Sequence, residues 1–391
     1  MSKICPSHII VHRKENIINV QHWSTHLWHK NEIGMQRLHT EDRSMLAVQR
    51  VNDIRETEVG TDFKRIHLLE KRDLYNILRD YKINNNSIKR HENNFISVQL
   101  WVEQMKQQKD GKNPILYFKH RGQEDSKSNL SKDDFFLVIM TNFQAEMLLQ
   151  FGNSKICIYG THGLNSYSIQ LYTLLVVDEY DNGVPGAFCF NNKSDTATYK
   201  LFFESVRSSI GIIKPSVFMS YDEPAFYNAW SFIMGPTPKQ LLCTWHVLRN
   251  WSKNLSKIKS QDKKIVVFKS LKALLYEIDE NRFYKELSSI TNQLKSDEYT
   301  VDFGQYFITT YLSRIEKWAL FNRKHIGINT NMYLEALHKN IKYCYLEGKQ
   351  CRRLDFSINA LMLLVRDKSF KRVIKISKEK KSSKMLQIIS R

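Results

Sequence analysis

Residues 155–191 read KICIYGTHGLNSYSIQLYTLLVVDEYDNGVPGAFCFN. Three apolar runs rich in Ile, Val, Phe and Tyr (KICIY, SIQLYTLLVVD and PGAFCFN) are split by THGLNSY and EYDNGV. Runs of this length and composition read as strands, and Asp181-Asn182-Gly183 is a strong hairpin signal. Immediately upstream, DDFFLVIMT (133–141) is one more strand-like run. Downstream the pattern predicts a helix over Thr196–Ile210, a strand over Ser216–Tyr221, a helix over Glu223–Ile233, a strand over Gln240–Thr244 and a helix from Trp245. Sequential strands followed by α-β-α-β-α predict an α/β fold, a mixed sheet with helices on its faces.

The flanks read differently. Residues 1–45 are histidine-rich and open with two β-like runs, Ser7–His12 and Ile17–Trp23. From Glu41 to Met105 the pattern is helical: Leu74, Ile77, Leu78 and Tyr81 share one face, as do Val98, Trp101, Val102 and Met105. Residues 106–132 mix Gly, Asn, Ser and charge around one short strand, ILYFKH, and read as a linker or long hairpin. Residues 262–321 read as helical, and NTNMYLEALHKNIKYCYL is a further helix whose cap is expected at Asn329 or Thr330.

Composition narrows the partners. The chain has 391 residues, 59 Lys+Arg against 40 Asp+Glu and a formal charge of +19, a surplus that makes a polyanion the leading partner. A merely soluble basic surface is the bland alternative. Six cysteines, at 5, 157, 189, 243, 344 and 351, lack the dense even spacing of a disulfide scaffold, so a reducing interior is expected. No run of about 18 apolar residues predicts a membrane span, and MSKICPSHIIVHRK lacks the pattern of a signal peptide. An intracellular, nuclear protein is the expectation.

Four blocks, THGLNSYSIQLYTLLVVDEYDNGVPGAF, FMSYDEPAFYNAW, LLCTWHVLRNWSKNL and NTNMYLEALHKNIK, stand in an order and at a spacing that resemble the Mutator-like (MULE) transposase domain. CTWH followed by RNW is the most specific of them. The resemblance covers roughly 130–370, with weaker likeness back to residue 1. It implies a ribonuclease-H-like fold with a helical insertion, a double-stranded DNA partner (transposon ends or target), and assemblies of at least two copies by analogy. It also implies a DDE triad that holds Mg²⁺, with one Asp on the first strand, one after the fourth and a Glu on a late helix. In-line phosphoryl displacement suits two divalent metals about 4 Å apart, and magnesium, a hard ion, wants oxygen ligands.

Carried over residue by residue, the triad is incomplete. The first Asp position is Tyr159, in Tyr159-Gly160-Thr161-His162; the second is Tyr221, in Met219-Ser220-Tyr221-Asp222; the third is Glu335. A phenol with a pKa near 10 is neutral at physiological pH and a poor magnesium ligand. Asp222 is a possible substitute, although a one-residue shift at a strand end points a side chain to the other face. Asp178 could be argued as a stand-in; with Asp181 and Asn182 it is favoured instead as a shaper of the hairpin turn.

Further candidates follow. Cys243 and His246 form a C-x-x-H pair that can supply half of a tetrahedral zinc site, or simply pack under Trp245. Cys5, His22 and His26 resemble the tail of an upstream zinc module, read as truncated because a cysteine before Cys5 is missing. DNA-contact candidates are His162, Arg352, Arg353, Lys371, Arg372 and Lys375, the last three in a basic stretch, Lys368–Arg391, with nine Lys or Arg. The expected organisation is a truncated zinc-module-like segment (1–45), a helical N-terminal region and linker (46–132), a transposase-like domain (133–370, insertion about 260–325) and a basic tail (371–391). Three readings stand: a DNA-binding protein of this lineage with impaired catalysis, an active Mg²⁺-dependent transposase using Glu335 and Asp222, or a protein-interaction scaffold.

Overall fold

The computed structural model describes residues 8–14, 17–23, 38–41, 43, 73, 76 and most of 90–377, the exceptions being 109–112, 126, 127, 129, 325, 347 and 349–352. The chain divides into two compact units, Met1–Asn85 with Ser369–Lys380, and Asn86–Lys368 with Lys381–Arg391. In the first, β1 (His8–Lys14) and β2 (Ile17–Trp23) pair antiparallel from His8 opposite Trp23 to Lys14 opposite Ile17. Cys5 and His26 lie outside the described residues, and His22 stands on β2 opposite Ile9. The face 74–81 also lies outside them.

The second unit is built on a seven-stranded mixed sheet. Its strands are β3 (Ile115–Lys119), β4 (Phe136–Ile139), β5 (Lys155–Thr161), β6 (Gln170–Val177), β7 (Gly183–Asn191), β8 (Val217–Ser220) and β9 (Lys239–Leu242). They lie in the order β3-β4-β7-β6-β5-β8-β9. The antiparallel meander β5-β6-β7 comes from the opening stretch, and β8 and β9 add parallel to β5. Residues along the central strands alternate between two cores, as the period of two requires. Cys157, Phe188, Phe190, Val217 and Met219 face one, and Ile156, Ile158, Ala187, Cys189 and Phe218 the other.

Helices cover both faces. α1 (Asn94–Lys106) lends Val98, Trp101, Val102 and Met105 to the first core. α2 (Asn142–Phe151), α3 (Thr196–Ile210) and α4 (Pro224–Met234) cover the second. Thr141 and Gln144 close a capping box at the start of α2, a device worth about 1 kcal/mol. The strand ILYFK is a member of this sheet, paired antiparallel to β4, so residues read as a linker in fact extend the core sheet.

After α5 (Thr244–Asn254) the chain leaves the sheet for four helices: α6 (Gln261–Tyr276), α7 (Glu280–Ser296), α8 (Val301–Tyr311) and the short α9 (Ile315–Trp318). Together with α5 they enclose a third core, in which Trp251, Phe283, Phe307, Tyr311 and Trp318 are fully buried. These helices fall in the stretch read from the sequence as helical, 262–321. The chain then returns through α10 (Met332–Asn340) and α11 (Leu354–Ser377). Asn331, rather than Asn329 or Thr330, occupies the cap of α10. Asn329 cannot serve because its carbonyl is held by the Thr244 N–H and hydroxyl and by Arg323. Among the described residues no helix is long and apolar enough to cross a membrane.

Candidate functional site

The C-terminal ends of β5 and β8, the β9–α5 junction and the first turns of α10 meet at one place. α10 reaches it because Gly183, at the start of β7, has no side chain: a Cβ there would lie 2.7 Å from Cβ of Tyr333. The Tyr333 hydroxyl donates to Asp181 (2.7 Å), and His338 Nε2 lies 3.0 Å from the Thr173 hydroxyl on β6. On the far side, the buried Arg323 donates to the carbonyls of Leu242 (2.5 Å) and Asn329 (3.1 Å), fixing the end of β9 against the approach to α10.

Tyr159 comes from β5 and Tyr221 from the residue after β8. Their rings meet edge to face, 5.6 Å between centroids at 90°. Tyr159 also stacks on His338 (5.6 Å, 28°) and leans on His246 (5.0 Å), while Tyr221 lies 5.8 Å from His246 and 5.3 Å from Phe226. Burial raises the pKa of both phenols, for Tyr159 reinforced by the charge of Glu335 and for Tyr221 by that of Glu223. Both are neutral across the physiological range.

Against the tyrosines lie Cys243, His246 and Glu335, whose ligand atoms all fall within 4.8 Å of one another, the first two buried and the third half-buried. Cys243 is the N-cap residue of α5 without a side-chain capping bond. Its sulfur instead accepts from the backbone N–H of Asn331 at 3.3 Å. Burial raises the thiol pKa, while backbone N–H groups of Asn331, His246 and Trp245 work in the opposite direction. Burial, then Arg249 and Lys253, push the His246 pKa down to about 4, and burial raises that of Glu335. Both ring nitrogens of His246, Oε1 of Glu335 and both amide atoms of Asn331 are buried with no hydrogen-bond partner. Each such group costs about 1–3 kcal/mol unless something satisfies it.

This donor set does not fit the magnesium pair that the resemblance implies. Of the three triad positions only Glu335 carries a carboxylate, and two Mg²⁺ beside a single negative charge would leave a net +3 in a partly buried site. Asp222 turns elsewhere: Arg314 grips it through both oxygens (2.5 and 2.9 Å) and the Tyr311 hydroxyl donates to it at 3.2 Å. Asp178 accepts from Tyr180, from the Asn182 backbone (2.7 Å) and from the Asn182 amide, shaping the turn in which Asp181 takes φ 60°.

The DNA-contact candidates that are described stand on different elements. His162 is exposed in the loop after β5. Arg353 donates to the carbonyls of His91 (2.7 Å) and Glu92 (2.6 Å) and bridges to Asp355 (2.8 Å), so its guanidinium is taken up in anchoring α11 to the start of α1. Lys371 is exposed and Arg372 and Lys375 half-buried on the last turns of α11, while Arg352 lies outside the described residues. Sequence reasoning missed His338 and Asn331, though Glu335-x-x-His338 repeats the spacing of Cys243-x-x-His246 and was open to notice. Trp245, read only as a residue for Cys243 and His246 to pack under, is 45% exposed, with the Arg249 guanidinium 5.1 Å from its ring centroid.

The sheet order β7-β6-β5-β8-β9, parallel only at β5-β8-β9, with its cluster at the strand ends and a late helix closing over it, is compatible with the ribonuclease-H-like fold. Within that class, residues 156–250 match the family model of the MULE transposase domain, which supports the likeness to Mutator-like transposases. The matched segment carries Tyr159, Tyr221, Cys243 and His246; Glu335 lies beyond it. No curated protein matches the chain.

Proposed function

We propose that this is a transposase-derived DNA-binding protein in which the Mg²⁺-dependent strand-transfer site no longer operates. One observation carries the reading. The two strand-end positions that the resemblance assigns to aspartates hold phenols whose rings close on each other at 5.6 Å, opposite the surviving Glu335. Neutral rings there supply neither the charge nor the volume that a pair of hydrated magnesium ions requires. Asp222 does not replace them, because both of its oxygens are engaged by Arg314 and Tyr311.

DNA binding is supported by the charge of +19 and by an exposed surface beside the site. His162 and Arg249 offer contacts for phosphate, and Trp245 with Arg249 over its face suits stacking of an unpaired base. A DNA partner implies work in the nucleus, which a fluorescent fusion of the chain tests by its distribution.

The decisive comparison is Mg²⁺-dependent cleavage of duplex DNA by the native chain and by the double variant Tyr159→Asp, Tyr221→Asp. The native chain is expected to show no cleavage above background, and the double variant to gain cleavage that Glu335→Ala removes again. Robust cleavage by the native chain, lost on Glu335→Ala, would overturn the reading.

A further inference from the structure

We propose that Cys243, His246 and Glu335 bind a single transition-metal ion of the zinc class, with the fourth coordination position left for water. The three donor atoms already lie within 4.8 Å of one another. A tetrahedral zinc ion with bonds of about 2.0–2.3 Å holds its donors roughly 3.3–3.8 Å apart, so the set has to close by about 1 Å. That is within reach of small side-chain rotations on two helix starts.

A second observation points to a ligand independently of the spacing. His246 is 7% exposed and neither of its ring nitrogens has a hydrogen-bond partner. A buried oxygen of Glu335 is in the same condition. Surroundings that leave donors from two elements unsatisfied toward one point are those of a binding site, since native interiors pair nearly all such atoms. Asn331, fully buried, gives its backbone N–H to the Cys243 sulfur and has a side-chain amide without partners, so it stands ready to orient the ligands from outside.

Charge and softness select the ion. Binding exchanges the Cys243 thiol proton for the metal and releases that proton to solvent. Thiolate and carboxylate together then cancel a divalent charge, leaving the half-buried site neutral. One sulfur, one nitrogen and one oxygen donor suit a borderline-soft ion, whereas magnesium and calcium prefer oxygen throughout. Glu335, left by Tyr159 and Tyr221 without carboxylate partners for magnesium, thus has in Cys243 and His246 the partners that a zinc-class ion requires. This inference stands apart from the DNA-binding reading, and neither fails with the other.

The test uses the full chain, stripped with chelator and titrated with Zn²⁺ alone by calorimetry, then with Co²⁺ followed by absorption. Co²⁺ is expected to give the visible bands of a tetrahedral ion with a thiolate-to-metal charge-transfer band, and Cys243→Ser to abolish the latter. Glu335→Gln and His246→Gln are expected to weaken Zn²⁺ binding at least about tenfold. Circular dichroism of each metal-free variant reports folding, and the conservative Glu335→Gln keeps the test open should Cys243→Ser not fold. Absence of a thiolate band in the native chain overturns the proposal. So does a band that persists in folded Cys243→Ser, which would move the metal to another cysteine such as the exposed Cys344. Zn²⁺ affinity unchanged in folded Glu335→Gln overturns it equally.

Discussion

Individual side chains at the meeting of β5, β8, α5 and α10 are set by burial more than by charge, and His338 is the sharpest case. It is 4% exposed, and burial, then Lys342, push its pKa from 6.5 down to about 3. The folded chain keeps the ring neutral, while the unfolded chain protonates it below 6.5. Its contribution to stability is therefore whole above pH 6.5 and falls as pH drops toward 3. The slope is about 1.4 kcal/mol per pH unit, or roughly 2 kcal/mol lost between pH 7 and pH 5. Thermal melts of the metal-free chain should show this acid sensitivity, reduced by about that amount in His338→Gln. Equal sensitivity in the two would mean that the ring is not held neutral. The site itself was half legible in the sequence. Cys243-x-x-His246 could be read as two ligands because both stand at one helix start. Their third partner sits 89 residues after His246 across an insertion, and no local spacing betrays a meeting produced by tertiary packing. Glu335 was visible only through the resemblance, which assigned it to a different metal.

Elements tell a similar story. The strands from β5 to β8 were readable because burial on both faces makes each an apolar run, bounded by turn residues. β3 was read as linker, since the Gly, Asn and charge around it describe its ends rather than its pairing with β4. α2 escaped notice: its ten residues are wedged between two strand-like runs and begin at a capping box rather than a composition change. The insertion carries the clearest element-scale consequence. Tyr311, at the end of α8, and Arg314, just beyond it, reach back to Asp222 after β8, with the Asp222 and Arg314 side chains 9% and 18% exposed. Removing one member of so buried a pair costs about 3 kcal/mol. Asp222→Asn should lower the urea midpoint accordingly while leaving bound metal unchanged. Glu335→Gln should do the reverse, with a smaller loss of stability and a loss of metal. Metal content that falls with Asp222→Asn would make Asp222 a ligand and return the active-transposase reading to contention.

At the scale of the whole chain the deciding quantity is the excess of 19 positive charges. Such a surplus opposes compaction by self-repulsion and is relieved when a polyanion gathers it, because each phosphate neutralised releases condensed counterions. Duplex binding should then weaken steeply with salt, the logarithm of affinity falling by about 0.9 for each phosphate contact per logarithm of salt. Lys378, Lys380, Lys381 and Lys384 form the densest part of the basic stretch after Lys368. Replacing all four with Gln in the full chain should reduce the salt slope by up to about 3.6 units if each meets a phosphate. The affinity loss should be uniform across DNA sequences, since phosphate contacts position a protein without reading bases. Binding titrations from low to physiological salt, on two unrelated duplexes, measure both quantities. A native chain that binds no duplex even at low salt would leave the scaffold reading as the one that accounts for the fold, and its charge as an incidental property of the surface.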